Sequence, residues 1–313
     1  MTQPVRLPPP AGPGDRVGVA ALSGPVDPER LESGMAALSG LGFVPVPADN
    51  LASRHGLFAG SDAERLAAFH RLAADPSLAA ILFSRGGYGV PRILPGIDWD
   101  LLARRPRAYL GYSDLTPFLL GVVSRLGLAA FHGPLVAAEL ARGLSADEEA
   151  SFLGALAGRY PAVVPLGAPL RSGPEEVSGP LLGGCLSLLT ATLGTPFAAD
   201  LSGSLLFWED VAEPAYRIDR MLTHLRLSGS LDTIRGMIVG HITAAGAAGP
   251  AGAGDVEAAR VDWPQGVGEA LAGFSWPLAW GLPSGHAAPN RTLPLGLTAR
   301  LPADAAQLVL GEG

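Results

Sequence analysis

The sequence contains a single cysteine, Cys185, and no lysine among its 313 residues. One cysteine excludes an intramolecular disulfide and a metal cage built from several thiolates. The absence of lysine excludes the phosphate loop that ends in Lys-Ser or Lys-Thr, and it makes every basic residue an arginine. Because no neighbouring histidine or base is evident, we expect Cys185 to be a buried, inert thiol.

Charged residues are also scarce, at 16% of the chain, and they form no block of one sign. The 22 basic and 29 acidic residues give a formal net charge of −7, which does not favour nucleic acid or anionic lipid as a partner. The most hydrophobic stretch, residues 181–199, is interrupted by glycine, proline and hydroxyl side chains, so it predicts a core helix rather than a membrane span. No apolar signal segment is visible near Met1, and we expect a cytoplasmic protein.

The order of apolar runs and helical patterns predicts an α/β protein. Strand-like runs at 17–22, 43–46, 79–83 and 108–111 alternate with helical patterns, which is typical of an open, mostly parallel sheet. The length favours two domains. We predict an N-terminal α/β domain at 1–165, a linker at 166–178 and a C-terminal domain at 179–313 that opens with a helix over 181–193. Residues 244–254, which are alanine, glycine and proline, predict a flexible loop.

Four predicted strands are followed directly by residues that could take part in catalysis or binding. Ligands of open α/β sheets bind beyond the carboxyl ends of the strands. These segments are residues 84–89, 111–114, 209–210 and 281–286. They supply hydroxyl groups, carboxylates, an imidazole and exposed backbone amides.

Ser113 has the best position for a nucleophile. A serine in a tight strand-to-helix turn projects its hydroxyl outward, with the helix N-terminus behind it. The turn is not the full G-x-S-x-G elbow, because Leu115 stands at the second glycine. The alternative is that Ser113 or Asp114 only caps a helix that begins at Leu115.

The sequence offers several candidates for the acid and the base that could activate a serine. Three acidic residues follow the predicted strand at 204–208, and any of them could orient a histidine: Glu209, Asp210 and Glu213. His286 lies in a glycine-rich loop outside any apolar period, while His132 and His241 each follow a strand and remain alternatives.

The glycines of residues 85–89 do not complete a G-x-G-x-x-G fingerprint. They can bring backbone amides close to a developing oxyanion, or they can serve only a turn that needs positive φ. No H-E-x-x-H or comparable spacing occurs, so we expect neither a metal nor another cofactor.

Taken together, these segments resemble the LD-carboxypeptidase family of serine peptidases, which includes murein tetrapeptide carboxypeptidases and microcin C immunity peptidases. The matching stretches run in family order over nearly the whole chain. They are F-A-G at 58–60, R-G-G-Y-G at 85–89, G-Y-S-D at 111–114, F-H-G-P at 131–134, E-D at 209–210, Y-R-I-D-R at 216–220, G-H at 285–286 and T-L-P-L-G at 292–296.

The resemblance implies a nucleophile at Ser113, a base at His286 and an orienting acid at Glu209 rather than Asp210 or Glu213. It also implies a C-terminal domain with a barrel-like sheet, a site between the domains, and often a homodimer. Two positions depart from the family pattern. Cys185 replaces the usual asparagine after a Gly-Gly pair, and the proline usual before Ser23 is absent.

The family's reaction gives the remaining expectations. His286 would take the proton of Ser113, and the backbone N–H groups of Gly87 and Asp114 would meet the oxyanion. Arg85 would pair with a substrate carboxylate or brace its loop. The expected substrate is a murein tetrapeptide that loses its terminal D-Ala. The alternatives are an immunity-type peptidase acting on a peptidyl- or aminoacyl-nucleotide antibiotic and a non-catalytic ligand-binding protein.

Overall fold

The structure is a computed structural model that describes residues 5–159, 163–244 and 263–311. The chain divides into two compact units. Unit 1 comprises Met1–Tyr160 and Asn290–Gly296, and unit 2 comprises Pro161–Pro289 and Leu297–Gly313. Each unit holds one β-sheet with helices, so the predicted α/β class is confirmed. Residues 245–254 of the predicted alanine- and glycine-rich loop lie outside the described residues.

Unit 1 is built on a six-stranded sheet, with strands numbered along the whole chain. They are β1 (Arg16–Ala20), β2 (Val44–Pro47), β3 (Leu78–Phe83), β4 (Ala108–Gly111), β5 (Ala130–His132) and β11 (Leu293–Leu295). Their order is β11-β5-β4-β3-β1-β2; β1 to β5 pair in parallel and β11 is antiparallel to β5. The four strands predicted in this half are present with small shifts of their ends. The carboxyl ends of β1, β3 and β4 therefore lie side by side.

Six α-helices in the described part of the chain accompany this sheet. They are α1 (Pro28–Gly40), α2 (Asp62–Ala74), α3 (Val90–Ile93), α4 (Trp99–Arg104), α5 (Thr116–Leu126) and α6 (Ala146–Leu156). The sequence predicts a helix cap at Asp27 and a capping box formed by Ser61 and Glu64. Both are confirmed: the Asp27 side chain accepts from the Arg30 amide, and Ser61 and Glu64 form the capping box of α2.

Helix α5 is anchored by an aromatic cluster in the core of unit 1. The ring of Phe118 lies 5.4 Å, centroid to centroid, from each of Phe69, Phe83 and Tyr109, in edge-on contacts. Such pairs contribute about 0.5–1.5 kcal/mol each beyond their buried area. Because α5 follows the Ser113 turn directly, this cluster fixes the helix that lies behind the candidate nucleophile.

Unit 2 is built on a seven-stranded sheet of mixed direction. Its strands are β6 (Val163–Pro165), β7 (Val177–Cys185), β8 (Leu205–Glu213), β9 (Gly236–Ala244), β10 (Leu278–Trp280), β12 (Thr298–Leu301) and β13 (Gln307–Leu310). The order is β10-β9-β8-β7-β12-β13-β6, with β7 to β10 parallel and the rest antiparallel to their neighbours. Its α-helices among the described residues are α7 (Leu186–Ala191), α8 (Ala215–Leu227) and α9 (Trp263–Ala270).

The helix predicted over residues 181–193 is wrong in its first part. Residues 177–185 form β7, and only the short α7 follows. A Cβ added to Gly183 would fall within 1.7 Å of the Phe207 carbonyl oxygen, so this glycine lets β7 approach β8 closely. The apolar run is a buried parallel strand, a type that sequence periodicity does not distinguish from a core helix. None of the described helices combines the length and apolar character needed to cross a bilayer.

Residues 290–296 return to unit 1, where α6 holds them. The Glu148 carboxylate pairs with Arg142 and accepts from the backbone amides of Asn290 and Ser145, each at 2.8 Å. Burial by itself raises the pKa of Glu148, but Arg142 and the two amides outweigh it and bring the pKa to about 2. The ionised carboxylate therefore stabilises the return segment.

We expect Glu148→Gln to lower the free energy of unfolding by about 2 kcal/mol at pH 7, because a buried charged acceptor is lost. The folded-state pKa lies below the ordinary 4.5, so this contribution is complete above pH 4.5 and decreases as the pH falls toward 2. Denaturant titrations between pH 7 and pH 3 measure it. The exposed neighbour Glu149→Gln is the control, and a Glu148→Gln deficit that does not change with pH would contradict the assignment.

Candidate active site

The Ser113 turn has a strained backbone. Ser113 follows β4, begins a short 3₁₀ turn at Ser113–Leu115 that leads into α5, and has φ = 64°. A non-glycine residue in this left-handed region costs of order 1–3 kcal/mol and is common where a side chain is displayed for function. The N-caps of the turn and of α5 are Tyr112 and Leu115, neither with a side-chain cap bond. The capping alternative for Ser113 and Asp114 therefore lacks support.

The glycine loop after β3 lies directly against Ser113. A Cβ added to Gly86 would be 2.9 Å from the Ser113 Cβ and 3.0 Å from its Oγ. No side chain fits at position 86 without moving the serine, so glycine is required there. Gly87 follows with φ = 119°. The structure thus brings together Ser113 and the loop that contains Gly87.

Arg85 projects from the same loop and is exposed to solvent. Its Nη1 donates to the Pro25 carbonyl at 2.9 Å, so the arginine braces the loop that follows β1. No acidic side chain in the described part of the chain forms an ion pair with it. The other N–H groups of the guanidinium are therefore compatible with a carboxylate ligand.

In unit 2, Glu209 and His286 form a close pair. His286 Nδ1 lies 2.6 Å from Glu209 Oε2, with the glutamate side chain 0% and the histidine side chain 14% exposed. Glu209 was predicted to follow its strand, but β8 continues to Glu213, so this expectation is wrong and the acid is fixed inside the sheet. The partly exposed ring against a buried acid is the arrangement that orients a catalytic imidazole.

Two glycines make room for that contact. A Cβ on Gly285 would lie 2.8 Å from both Cβ and Oε2 of Glu209, and one on Gly240 would lie 3.2 Å from the Glu209 Cβ. Gly285 also has φ = 122°. These close approaches are not visible in any sequence period, although the G-H pair at 285–286 is a signal for the first.

The electrostatics of Glu209 reflect its complete burial. Burial raises the pKa of Glu209, and the charge of Asp210 adds to this, while the adjacent His286 ring favours the carboxylate. A carboxylate in this setting holds the Nδ1–H tautomer and stabilises the ring when it gains a proton.

The other acidic candidates have different partners. Asp210 accepts from the backbone amide of Ser187 at 2.8 Å, which ties β8 to the start of α7. Glu213 pairs with Arg217 at 3.1 Å. Of the three acids, the one in contact with His286 is Glu209.

The other candidate histidines also differ from His286. His132 is 0% exposed, and its ring packs 5.4 Å from that of Tyr112. His241 contacts the Pro289 carbonyl at 3.1 Å, and burial lowers its pKa. His286, by contrast, is partly exposed and lies against the Glu209 carboxylate.

Cys185 lies beside this site without the properties of a nucleophile. Its thiol is buried and contacts Asp210 at 3.5 Å, and burial raises its pKa well above the usual range. Among the described residues, no group of three or more His, Cys, Asp or Glu is arranged to hold a metal ion.

Comparison with known protein families gives two matches along the chain. Residues 17–133 match the LD-carboxypeptidase N-terminal domain, and residues 178–301 match the LD-carboxypeptidase C-terminal domain. The strand-end segments described above fall within these two ranges.

Relatives carry names of the same kind. The chain is 33% identical to the murein tetrapeptide carboxypeptidase of Pseudomonas aeruginosa, over 91% of this chain and 92% of that one. It is 37% identical to a Bacillus subtilis protein named probable murein peptide carboxypeptidase, over 72% of each chain.

Solved structures agree with the fold. The muramoyltetrapeptide carboxypeptidase of Oxalobacter formigenes matches with a TM-score of 0.80 and 29% identity, over 95% of this chain and 99% of that one. The microcin C7 self-immunity protein MccF matches with a TM-score of 0.85 over 98% and 99%, but at 23% identity this likeness shows the fold alone. The chain therefore belongs to the LD-carboxypeptidase family and is a serine-type carboxypeptidase, a hydrolase.

Proposed function

We propose that this protein hydrolyses the L-D peptide bond of a murein tetrapeptide and releases its terminal D-Ala. The observation that carries the proposal is the 33% identity, over nearly the full length of both chains, to a murein tetrapeptide carboxypeptidase. The Glu209–His286 contact and the strained Ser113 turn supply the groups that such a reaction needs.

In the proposed reaction, His286 takes the proton of the Ser113 hydroxyl while the serine oxygen attacks the carbonyl carbon before the D-residue. The tetrahedral intermediate collapses, and the amine of D-Ala leaves with the proton from His286. Water then attacks the acyl-enzyme, again with His286 as base, and frees Ser113. Glu209 keeps the ring in the tautomer that leaves Nε2 free to accept the proton.

Two backbone amides are proposed to stabilise the oxyanion, those of Gly87 and Asp114. Support comes from the position of the glycine loop, because a Cβ on Gly86 would touch Ser113 Oγ and approach the Asp114 amide nitrogen to 3.8 Å. Removal of one such donor costs about 3 kcal/mol of transition-state stabilisation.

A carboxypeptidase also has to recognise the terminal carboxylate, and we assign this role to Arg85. It is exposed, it belongs to the loop that contacts Ser113, and only one of its nitrogens donates to a described group, the Pro25 carbonyl. A guanidinium can bind a carboxylate through two parallel hydrogen bonds.

The immunity-type alternative has less support. A solved MccF active-site mutant replaces a serine, an asparagine and a lysine by alanine. This chain has no lysine. No aromatic-rich insertion separates Ser113 from Glu209. Rates on murein tetrapeptide and on an aminoacyl-sulfamoyl adenylate separate the two functions.

We further propose, from the family resemblance, that the protein acts in the cytoplasm as a homodimer. Its substrate would be a small peptide from wall recycling, with neither nucleic acid nor membrane as a partner. The net charge of −7 is consistent with the last point.

The wild-type protein is expected to release free D-Ala from murein tetrapeptide, and Ser113→Ala is expected to abolish release while leaving the fold intact. Mass analysis of the products and circular dichroism measure the two effects. Ser124→Ala, an exposed serine on α5, is the matched control. Absence of D-Ala release by intact wild-type protein would reject the substrate, and turnover by Ser113→Ala would reject the nucleophile.

Glu209→Gln is expected to lower kcat by roughly 10³–10⁴-fold, because the amide neither stabilises the protonated ring nor enforces its tautomer. Glu213→Gln, which removes an acid from the same strand, is expected to stay within a few-fold of the wild type. Steady-state kinetics on the tetrapeptide decide the point. Equal losses in both variants would show that Glu209 is not the orienting acid.

Arg85→Met is expected to raise KM about 10–100-fold with little change in kcat, because a charge-assisted contact made equally in the ground and transition states is lost. The wild type should also prefer a tetrapeptide with a free terminal carboxylate over its amide, and Arg85→Met should lose this preference. Arg71→Met, at an exposed ion pair with Asp49, is the control. An unchanged preference would assign Arg85 to loop bracing alone.

A further inference from the structure

One buried carboxylate joins the carboxyl ends of three neighbouring strands in unit 1. Asp114 is 1% exposed and follows the candidate nucleophile at the end of β4. Its Oδ2 accepts from the Ser23 hydroxyl, beyond β1, at 2.7 Å, and from the Val90 amide, at the end of the glycine loop after β3, at 2.9 Å. The same oxygen thus receives one donor from each of the two adjacent loops.

A buried arginine holds the other end of the same peptide group. Arg65 is 0% exposed, and its Nη1 donates to the carbonyl of Gly89 at 3.0 Å and to that of Leu22. The Gly89 carbonyl and the Val90 N–H belong to one planar peptide unit. Its oxygen is therefore held by Arg65 and its hydrogen by Asp114, which fixes the orientation of that plane. Gly89 has φ = 129°, and a Cβ there would lie 2.7 Å from Arg65 Nη1, so the contact needs glycine.

Asp114 and Arg65 thus hold the Gly89–Val90 peptide from two sides, and this peptide belongs to the loop that lies against Ser113. A Cβ on Gly86 would contact the Ser113 side chain, and Gly87 lies between Gly86 and the Gly89–Val90 peptide. On the other side of the serine, the Tyr112 hydroxyl donates to Glu139 at 2.7 Å. Ser113, with φ = 64°, thus lies between Tyr112, which is tied to a buried acid, and Asp114, which is itself a hydrogen-bonded buried acid. Such a conformation persists only where the surroundings fix it.

Burial raises the pKa of Asp114, while the hydrogen bonds from Ser23 and Val90 and the nearby charge of Arg65 act in the opposite direction. A buried charged group costs free energy unless its hydrogen bonds are kept. Packing alone does not require a carboxylate at position 114.

We propose that the Asp114 side chain is a positioning residue, which sets the Gly87 amide and the Ser113 hydroxyl in their reactive arrangement through the Gly89–Val90 peptide. The proposal rests on the function proposed above, since it takes Ser113 as nucleophile and Gly87 as oxyanion donor. The carboxylate itself touches no reacting atom. Its effect should fall on the chemical step and not on substrate binding.

The test compares Asp114→Ala and Asp114→Asn with Arg107→Met. Arg107 is the matched control, because it is a buried charged residue just before the opposite end of β4, where its guanidinium donates to carbonyls at the end of α2. Three quantities are measured on the full chain: stability by denaturant, kcat and KM on the tetrapeptide, and the second-order rate of labelling by a fluorophosphonate.

Asp114→Ala is expected to lower kcat and the labelling rate by about 10²–10³-fold, the loss expected when one oxyanion donor is misplaced, with KM changed less than a few-fold. Asp114→Asn keeps an oxygen that can accept both hydrogen bonds and should recover part of the rate. Arg107→Met should lose stability but keep its rate. Equal rate losses in Asp114→Ala and Arg107→Met, no recovery in Asp114→Asn, or a change confined to KM would each overturn the proposal.

If Asp114→Ala does not fold, Ser23→Ala takes its place, because it removes one donor to the same oxygen and should lower the labelling rate in a folded protein. Labelling needs no murein peptide. A wild-type protein that labels at Ser113 but releases no D-Ala would therefore reject the proposed substrate. In that case the labelling rates of the variants still test the role of Asp114. A wild type that neither labels nor turns over substrate would overturn both.

Discussion

The contact between Glu209 and His286 is the constraint on which the architecture of unit 2 depends. A carboxylate with no solvent exposure is costly unless it is paired and hydrogen-bonded. The surrounding backbone lets the ring reach it: the acid lies within β8 between β7 and β9, and glycines at 240 and 285 let the histidine loop approach. The neighbouring acid, Asp210, is directed to the amide of Ser187 and does not compete for the ring.

Unit 1 also contains groups that are costly unless their surroundings hold them, but the residues differ. Its costly features are the positive φ of Ser113 and the buried side chains of Asp114 and Arg65. The acid and the arginine do not form a direct ion pair with each other; they share one peptide group, which each holds from one side. Hydrogen bonds with a charged partner are the stronger ones, so a single peptide plane becomes a rigid part of the loop.

The sequence predicted the local features of the fold well. Caps at Asp27 and Ser61 and the ends of the unit 1 strands depend on neighbouring residues, and such signals can be read along the chain. The strand at 177–185 was mistaken for a helix because a strand buried on both faces and a core helix are both continuous apolar runs. Its pairing with β8 is a long-range property that no local pattern contains.

The candidate site was predictable only where its signals are local along the chain or belong to the family resemblance. Strand ends pointed to Ser113 and to the glycine loop, and the family resemblance selected Glu209 and His286 from several acids and histidines. The side-chain role of Asp114 was missed, because an acid after a serine at a helix start is typical of a cap. Its partners, Ser23 and Val90, lie 91 and 24 residues away. Only the fold brings them to one oxygen.

Several departures from local rules fall on the groups proposed for catalysis. A strained serine, two buried acids and glycines with no room for a side chain are each unfavourable taken alone, and a sequence selected only for stability would avoid them. In this chain Ser113, Asp114 and the glycine loop lie at strand ends, where open α/β sheets bind ligands, while Glu209 lies inside β8. The helix caps and the aromatic core around Phe118 follow the ordinary rules. The stabilising features therefore offset the strain at the groups proposed for catalysis, and strain of this kind is common where a side chain acts in a reaction.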